Sequence, residues 1–356
     1  MSYSIILGKQ DFLESLRGKT ASFLLAGSVT KTCEIPNLSQ AGIPGKLHLT
    51  PVLDAEFVMV KQVRSLENIA TTPKGVPTPA LITRAVHELK GFKEIELLNL
   101  GLETLPKIEH FTVHEFGLTP SEDITKGANI EALSLFEKGL AFAQEYVPKS
   151  DYTILAESVP AGTTTAAATA KVLGYKSENY FSSSYKNSPN ELKKEVIEKS
   201  LSNTNESMDI FEKLGFVSDN MIIFSAGFIL GLQATPHKLI LAGGTQMASV
   251  LLVVNSVLKT MGGELDSSKI SLCTTKWIAE DKNSNIKAIL EQLDFKINLY
   301  ASDFDFSLSS HLALKLYDEG EAKEGVGCGA ALCYASINGI TKEQITQKTE
   351  SFLNSN

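Results

Sequence analysis

Two glutamates, each beside a run of small residues, carry the chemistry legible in this chain. Glu157 closes the apolar run 152–156 and opens ESVPAGTTT, in which Gly162 is followed by Thr163, Thr164 and Thr165. Glu324 stands in KEGVGCGAAL, directly ahead of Gly325, Gly327 and Gly329. A glycine lets a ligand approach the backbone, a hydroxyl can donate to an oxyanion, and the first turn of a helix leaves its N–H groups unpaired. The stretch 158–165, with a helix-forming run 166–173 behind it, therefore suits a phosphate. The alternative is an ordinary strand-to-helix turn with a threonine cap and no ligand. Gly243, Gly244 and Thr245 repeat the pattern after the apolar run 238–242. A carboxylate ahead of a glycine-rich helix entry, as at Glu324, is positioned by a tight turn near a partial positive charge. Taken alone, Glu324 reads as a surface acid, and its neighbours Asp318, Glu319 and Glu321 read as a solvated face.

Composition narrows the classes of function. The 356 residues are 43% hydrophobic and 21% charged, an ordinary globular balance with ample material for a core. A net charge of −8 argues against a general nucleic-acid or anionic-membrane binder, while leaving room for one basic pocket. The four cysteines show no CxxC spacing, so neither a structural zinc site nor a disulfide framework is expected. His110 and His114 lie four apart on a predicted strand, ~13 Å from each other, too far to share one ion. No signal peptide or membrane span is read from the apolar runs, and the cytoplasm is the expected location.

The elements that must position the two glutamates follow from period and punctuation. Short apolar runs at 22–27, 95–98, 111–113, 152–156, 238–242, 270–274 and 297–300 predict strands. Helices are predicted at 80–90, 128–146, twice within 190–214, within 218–232, after residue 245 and at 308–316. Thr50 reads as the N-cap of a short helix with Pro51 at its first position, and Asp54 places charge near its positive end. The run TTPKGVPTP, 71–79, must be extended and marks a boundary. The serine-rich segment after Gly174 is either a loop over a site or a surface excursion. Lys276 reads as a solvated lysine. Strands alternating with helices imply a mostly parallel sheet covered on both faces, a Rossmann-like three-layer α/β fold.

The segments AESVPAGTTTAAA, KLILAGGTQMAS and KEGVGCGAAL, with LTPVLDAEF and GVPTPALITRA, together resemble the nicotinate-nucleotide:dimethylbenzimidazole phosphoribosyltransferase superfamily. The likeness is to its divergent, mostly archaeal and cyanobacterial branch. It implies that Glu324 is the catalytic base and Glu157 a second acid at the reacting centre. It further implies that Gly162, Thr163, Thr164, Thr165, Gly243, Gly244, Thr245, Gly325 and Gly327 bind substrate. Pro160 and Thr163 replace the glycine and asparagine usual in the family's loop. The implied reaction moves the ribose 5-phosphate of nicotinate mononucleotide onto a benzimidazole-like or purine base, with no metal and no cofactor. The implied organisation is a main α/β domain at 75–335, a smaller domain built from 1–74 and the C-terminal segment 336–356, and a homodimer.

Two further functions fit parts of this pattern. A nucleotide sensor could keep the fold without the chemistry. An NAD(P)-dependent oxidoreductase would need a GxGxxG between strand and helix, which the sequence lacks.

Overall fold

The computed structural model describes residues 1–354, so the last two residues of the predicted C-terminal segment lie outside it. Eight strands form one sheet: β1 (Tyr3–Leu7), β2 (Ala21–Gly27), β3 (Glu94–Asn99), β4 (Thr112–Glu115), β5 (Tyr152–Ser158), β6 (Lys238–Ala242), β7 (Ile270–Thr275) and β8 (Asn298–Ser302). Their order is β1-β8-β7-β6-β5-β2-β3-β4. All neighbours are parallel except β1, which pairs antiparallel with β8 at the edge.

Burial explains why the central strands read as unbroken apolar runs. Every residue of β2 and β5 is buried, as a parallel strand covered on both faces requires. Side chains alternate between two cores. Leu24, Ala26 and Leu155 join the core under the helices Ala132–Glu145, Gly162–Val172, Asn220–Leu232 and Thr245–Met261. Phe23, Leu25, Ile154 and Ala156 join the opposite core, under Thr50–Val60, Ala80–Leu89, Cys328–Ile337 and Lys342–Leu353. The three layers expected from the sequence are thus present. Among the described residues, no helix is long and apolar enough to cross a membrane.

Chain direction across the sheet reverses between β5 and β2: later strands add beyond β5, and β3 and β4 add beyond β2. Such a switch point opens a crevice at the carboxyl ends of the strands. The two ends are joined there, Ser28 N–H donating to Ser158 O at 3.2 Å.

Two local expectations are corrected. The helix predicted from residue 128 begins only at Ala132, because the N–H groups of Ala128 and Ile130 pair with Phe216 O and Gly215 O instead. Thr50 does not cap its helix: Leu49 takes that position and the Thr50 hydroxyl donates to Ala41 O at 2.8 Å.

Candidate active site

One cavity opens at this switch point, lined by Glu157 from the end of β5, Glu324, Asp54, Thr163, Gln246 and Lys323, among others. The two glutamates singled out by the sequence, 167 residues apart in the chain, share it.

Glu157 is buried beside other acids. Burial pushes its carboxyl up to about 8, and the nearby carboxyls of Glu324, Asp219 and Asp54 add to the shift. The turn after β6 separates the pair. A Cβ placed on Gly243 would stand 3.6 Å from Glu157 Cγ, and one on Gly244 would stand 3.7 Å from Glu324 Cβ. Side chains here are excluded by other neighbours, since a Cβ on Gly243 would stand 2.7 Å from Met247 Cγ and one on Gly244 3.2 Å from Ile278 Cδ1.

Glu324 is held differently. Its Oε2 accepts from Thr275 N at 2.9 Å and Thr274 Oγ1 at 3.1 Å. Its Oε1 accepts from Gly325 N at 3.2 Å and from Gly329 N and Cys328 Sγ, both at 3.1 Å. The donors come from the end of β7 and from the first turn of the helix Cys328–Ile337, whose positive end favours a carboxylate. Burial nevertheless raises the carboxyl above its ordinary value against all of these donors. The result is an oriented acceptor that is a stronger base than a solvated glutamate. Sequence reasoning placed it on the surface when taken alone; it is half-buried and lines the cavity.

The backbone around the cavity is constrained. Ala161, Ala322 and Val326, all lining it, have φ of 63°, 48° and 54°. Left-handed backbone is rare for alanine and rarer for a β-branched residue. Val326 is fixed from both sides: its N–H donates to Glu157 O at 2.8 Å and its carbonyl accepts from Thr83 Oγ1 at 2.8 Å. Strain of this kind persists where surrounding bonds over-determine it, and such places cluster at functional sites.

The remaining predicted residues divide into those that face the cavity and those that support it. Thr163, Gly244, Thr245 and Gly325 line it. Gly162 begins the helix behind Ala161, and Gly243 backs Glu157. Thr164 is buried away from the lining, while the Thr165 hydroxyl reaches Gly162 O at 2.9 Å and Asp219. Of the three threonines, Thr163 is the one left to meet a ligand. Thr245 Oγ1 accepts from Ser182 N at 3.1 Å and so anchors a loop. Gly327 lies beneath the site, against Ala156 and Ala242.

Several polar residues in and around the cavity have partners that the sequence did not reveal. Asp54 is no surface charge at a helix start: it is 2% exposed, and its two oxygens accept from Thr78 Oγ1 at 2.6 Å and Ser158 Oγ at 2.7 Å. Burial lifts its carboxyl to about 6 against those two bonds. The serine-rich segment is not a surface excursion, since Ser182, Ser183 and Ser184 line the cavity. Two buried lysines grip its carbonyls, Lys193 holding Phe181 O and Ser182 O, and Lys323 holding Ser183 O and Tyr185 O. Nor is Glu321 solvated: it is 1% exposed, accepts from Gln40 Nε2 at 2.6 Å and pairs with Lys74. It joins the segments around residues 40, 74 and 186 that roof the cavity. Asp318 accepts from Trp277 Nε1 at 3.0 Å, and Lys276 pairs with Asp305 at 3.0 Å. The signal available for these residues was their polarity inside apolar or turn-rich stretches. Among the described residues, no cluster of histidine, cysteine or acidic side chains could hold a metal ion.

Comparison with known proteins gives the chain its place. No family model matches it. The UPF0284 protein of Saccharolobus solfataricus is 35% identical over 339 residues, 93% of this chain and 92% of that protein. The UPF0284 protein of Metallosphaera sedula is 33% identical over 342 residues, 95% and 94% of the two chains. Among solved structures, the nicotinate-nucleotide–dimethylbenzimidazole phosphoribosyltransferase of Thermus thermophilus superposes with a TM-score of 0.61, covering 97% of this chain and 94% of its own at 14% identity. A second structure, titled CobT from the same organism, also gives 0.61, covering 95% and 92% of the chains. The fold is therefore that of the phosphoribosyltransferase, and by its likeness to the archaeal proteins over nearly its whole length the chain belongs to the UPF0284 family.

Proposed function

We propose that the protein is a phosphoribosyltransferase that moves the ribose 5-phosphate of nicotinate mononucleotide onto an aromatic nitrogen base, as in cobamide lower-ligand activation. The observation that carries this reading is the meeting of Glu157 and Glu324 across the turn at Gly243 and Gly244, in one cavity at the sheet's switch point.

In the substrate the nicotinate ring is a pyridinium. When its nitrogen leaves C1′ it takes the bonding pair and becomes neutral, so no acid is needed. The incoming azole attacks C1′ through one ring nitrogen and must lose the proton on the other. Glu324, oriented by five donors, accepts that proton, and a positioned base of this kind contributes roughly 10²–10⁴-fold. Glu157 plays a second part. Burial and the neighbouring carboxyls push its carboxyl up to about 8, which favours the protonated form at neutral pH. The positive charge of a bound pyridinium favours the ionised form, which then stabilises the oxocarbenium-like transition state. Thr163 and the start of the helix Gly162–Val172 hold the 5′-phosphate, so that attack comes from the face opposite nicotinate and inverts C1′. A cytoplasmic homodimer belongs to the same proposal.

The test is direct. The protein is incubated with nicotinate mononucleotide and, separately, dimethylbenzimidazole, adenine or a phenol, and products are followed by mass spectrometry. Nicotinate and a ribotide of the added base are expected together. Tight binding of the nucleotide with no nicotinate released by any base would leave a binding protein instead.

A further inference from the structure

We propose that Gln246 is a specificity-determining residue for the substrate's phosphate, a role that rests on the transferase reading above and adds to it a contact not among those implied by the resemblance. The Gln246 side chain lines the cavity, is 4% exposed, and its Nε2 is buried with no hydrogen-bond partner among the described residues. A buried donor left unpaired costs folding free energy, so natural proteins retain such groups where a ligand completes them.

The location of that donor names the ligand's chemistry. Gln246 is packed on Gly162, the first residue of the helix Gly162–Val172: a Cβ there would stand 2.2 Å from Gln246 Nε2. The free amide therefore stands at the helix's positive end, next to Thr163. The two strand–loop–helix units, after β5 and after β6, interlock at this contact. An acceptor is called for. Lys323 is the only cation among the described lining residues, and its ammonium is already taken by Ser183 O, Tyr185 O and, at 3.5 Å, Asp281. The Gly162 and Thr164 N–H groups are spent on Val159 O and Ala161 O, so the acceptor group meets three neutral donors: the amide, the Thr163 hydroxyl and the Thr163 N–H. An oxyanion satisfies all three. In this substrate the oxyanion is either the ribose phosphate or the carboxylate of nicotinate, and the helix start with Thr163 selects the tetrahedral phosphate.

Calorimetric titration of the full chain with ribose 5-phosphate, and separately with nicotinate, decides between them. Gln246→Glu replaces the donor with an isosteric anion, and Gln246→Met removes it while filling the same volume. Both variants are expected to bind ribose 5-phosphate about ten- to a hundredfold more weakly, the worth of one charge-assisted hydrogen bond, with nicotinate affinity unchanged. Gln246→Met should melt no lower than the parent protein, because it deletes an unpaired buried amide; a purely structural glutamine would melt lower. Unchanged ribose 5-phosphate affinity in both variants, loss confined to nicotinate, or no ribose 5-phosphate binding by the parent protein would each overturn the assignment. Loss of ribose 5-phosphate binding in the variants, in a protein that releases no nicotinate with any base, would uphold the phosphate contact while refuting the transfer reaction.

Discussion

The Val326 N–H donates to the Glu157 carbonyl oxygen across 2.8 Å. Through this bond the end of β5 dictates where the loop bearing Glu324 lies, although the two segments are far apart in sequence. The backbone sets the loop relative to β5, and the donors around the Glu324 carboxylate then orient its side chain. Substitutions at either carboxyl should therefore change chemistry while leaving the loop in place.

Glu324→Gln tests the base. The amide keeps one acceptor oxygen, but its nitrogen becomes a donor facing donors, which costs about 1–3 kcal/mol. The variant is expected to fold with a lowered melting temperature and to turn over about a hundredfold more slowly or worse. Nicotinate release at the parent rate would remove Glu324 from the mechanism.

Glu157 makes stability depend on pH. Its carboxyl rises from an ordinary 4.5 to about 8 on folding. Between those values the folded protein holds a proton that the unfolded chain has released. Stability therefore falls as pH rises through this window, by up to roughly 1.4 kcal/mol per unit, and levels off above it. Glu157→Gln should flatten the fall. Thermal unfolding of both proteins at a series of pH values measures it, and parallel profiles would count against a raised Glu157.

Gly327→Ala addresses the floor of the site. Gly327 has φ of 67°, and a Cβ there would stand 2.6 Å from Ala156 Cβ and 3.2 Å from Ala242 Cβ. Left-handed backbone and overpacking together predict a loss of roughly 2–4 kcal/mol in urea unfolding. A loss below half a kilocalorie would mean the loop can shift freely.

Glu321→Ala removes the knot of the roof. Lys74 is left without its partner and Gln40 Nε2 loses an acceptor. The Lys74 side chain is 57% exposed and its ammonium returns to water, so the main loss is the acceptor of the buried Gln40 amide, about 1–2 kcal/mol. Hydrogen exchange should quicken around residues 40, 74 and 186 ahead of the rest of the chain; uniform change across the protein would deny Glu321 this local role.

What the sequence disclosed follows the reach of each interaction. β2, β5 and β6 were legible because strands buried on both faces are short unbroken apolar runs, and the residues after β5 and β6 announce a helix start within a few positions. Asp54 was not, because its partners Thr78 and Ser158 lie 24 and 104 residues away. The serine-rich segment was ambiguous for the same reason, its carbonyls being held by Lys193 and Lys323. β1 escaped notice because only part of it is shielded and its residues do not alternate cleanly. The resemblance to a known superfamily supplied what local pattern left open, that the two glutamates belong to one place.

The pairing of β1 with β8 has a bearing on how the molecule is made. Tyr3 and Ser302 are register partners, so β1 must wait for β8, the last of the eight strands in chain order. Contacts of such separation are slow to form, and an unpaired strand is open to association with other chains in the meantime. That border of the sheet is sealed only once residues 298–302 have been made, and a nascent chain halted short of residue 298 would carry a loose strand at Tyr3–Leu7 for a chaperone to shelter.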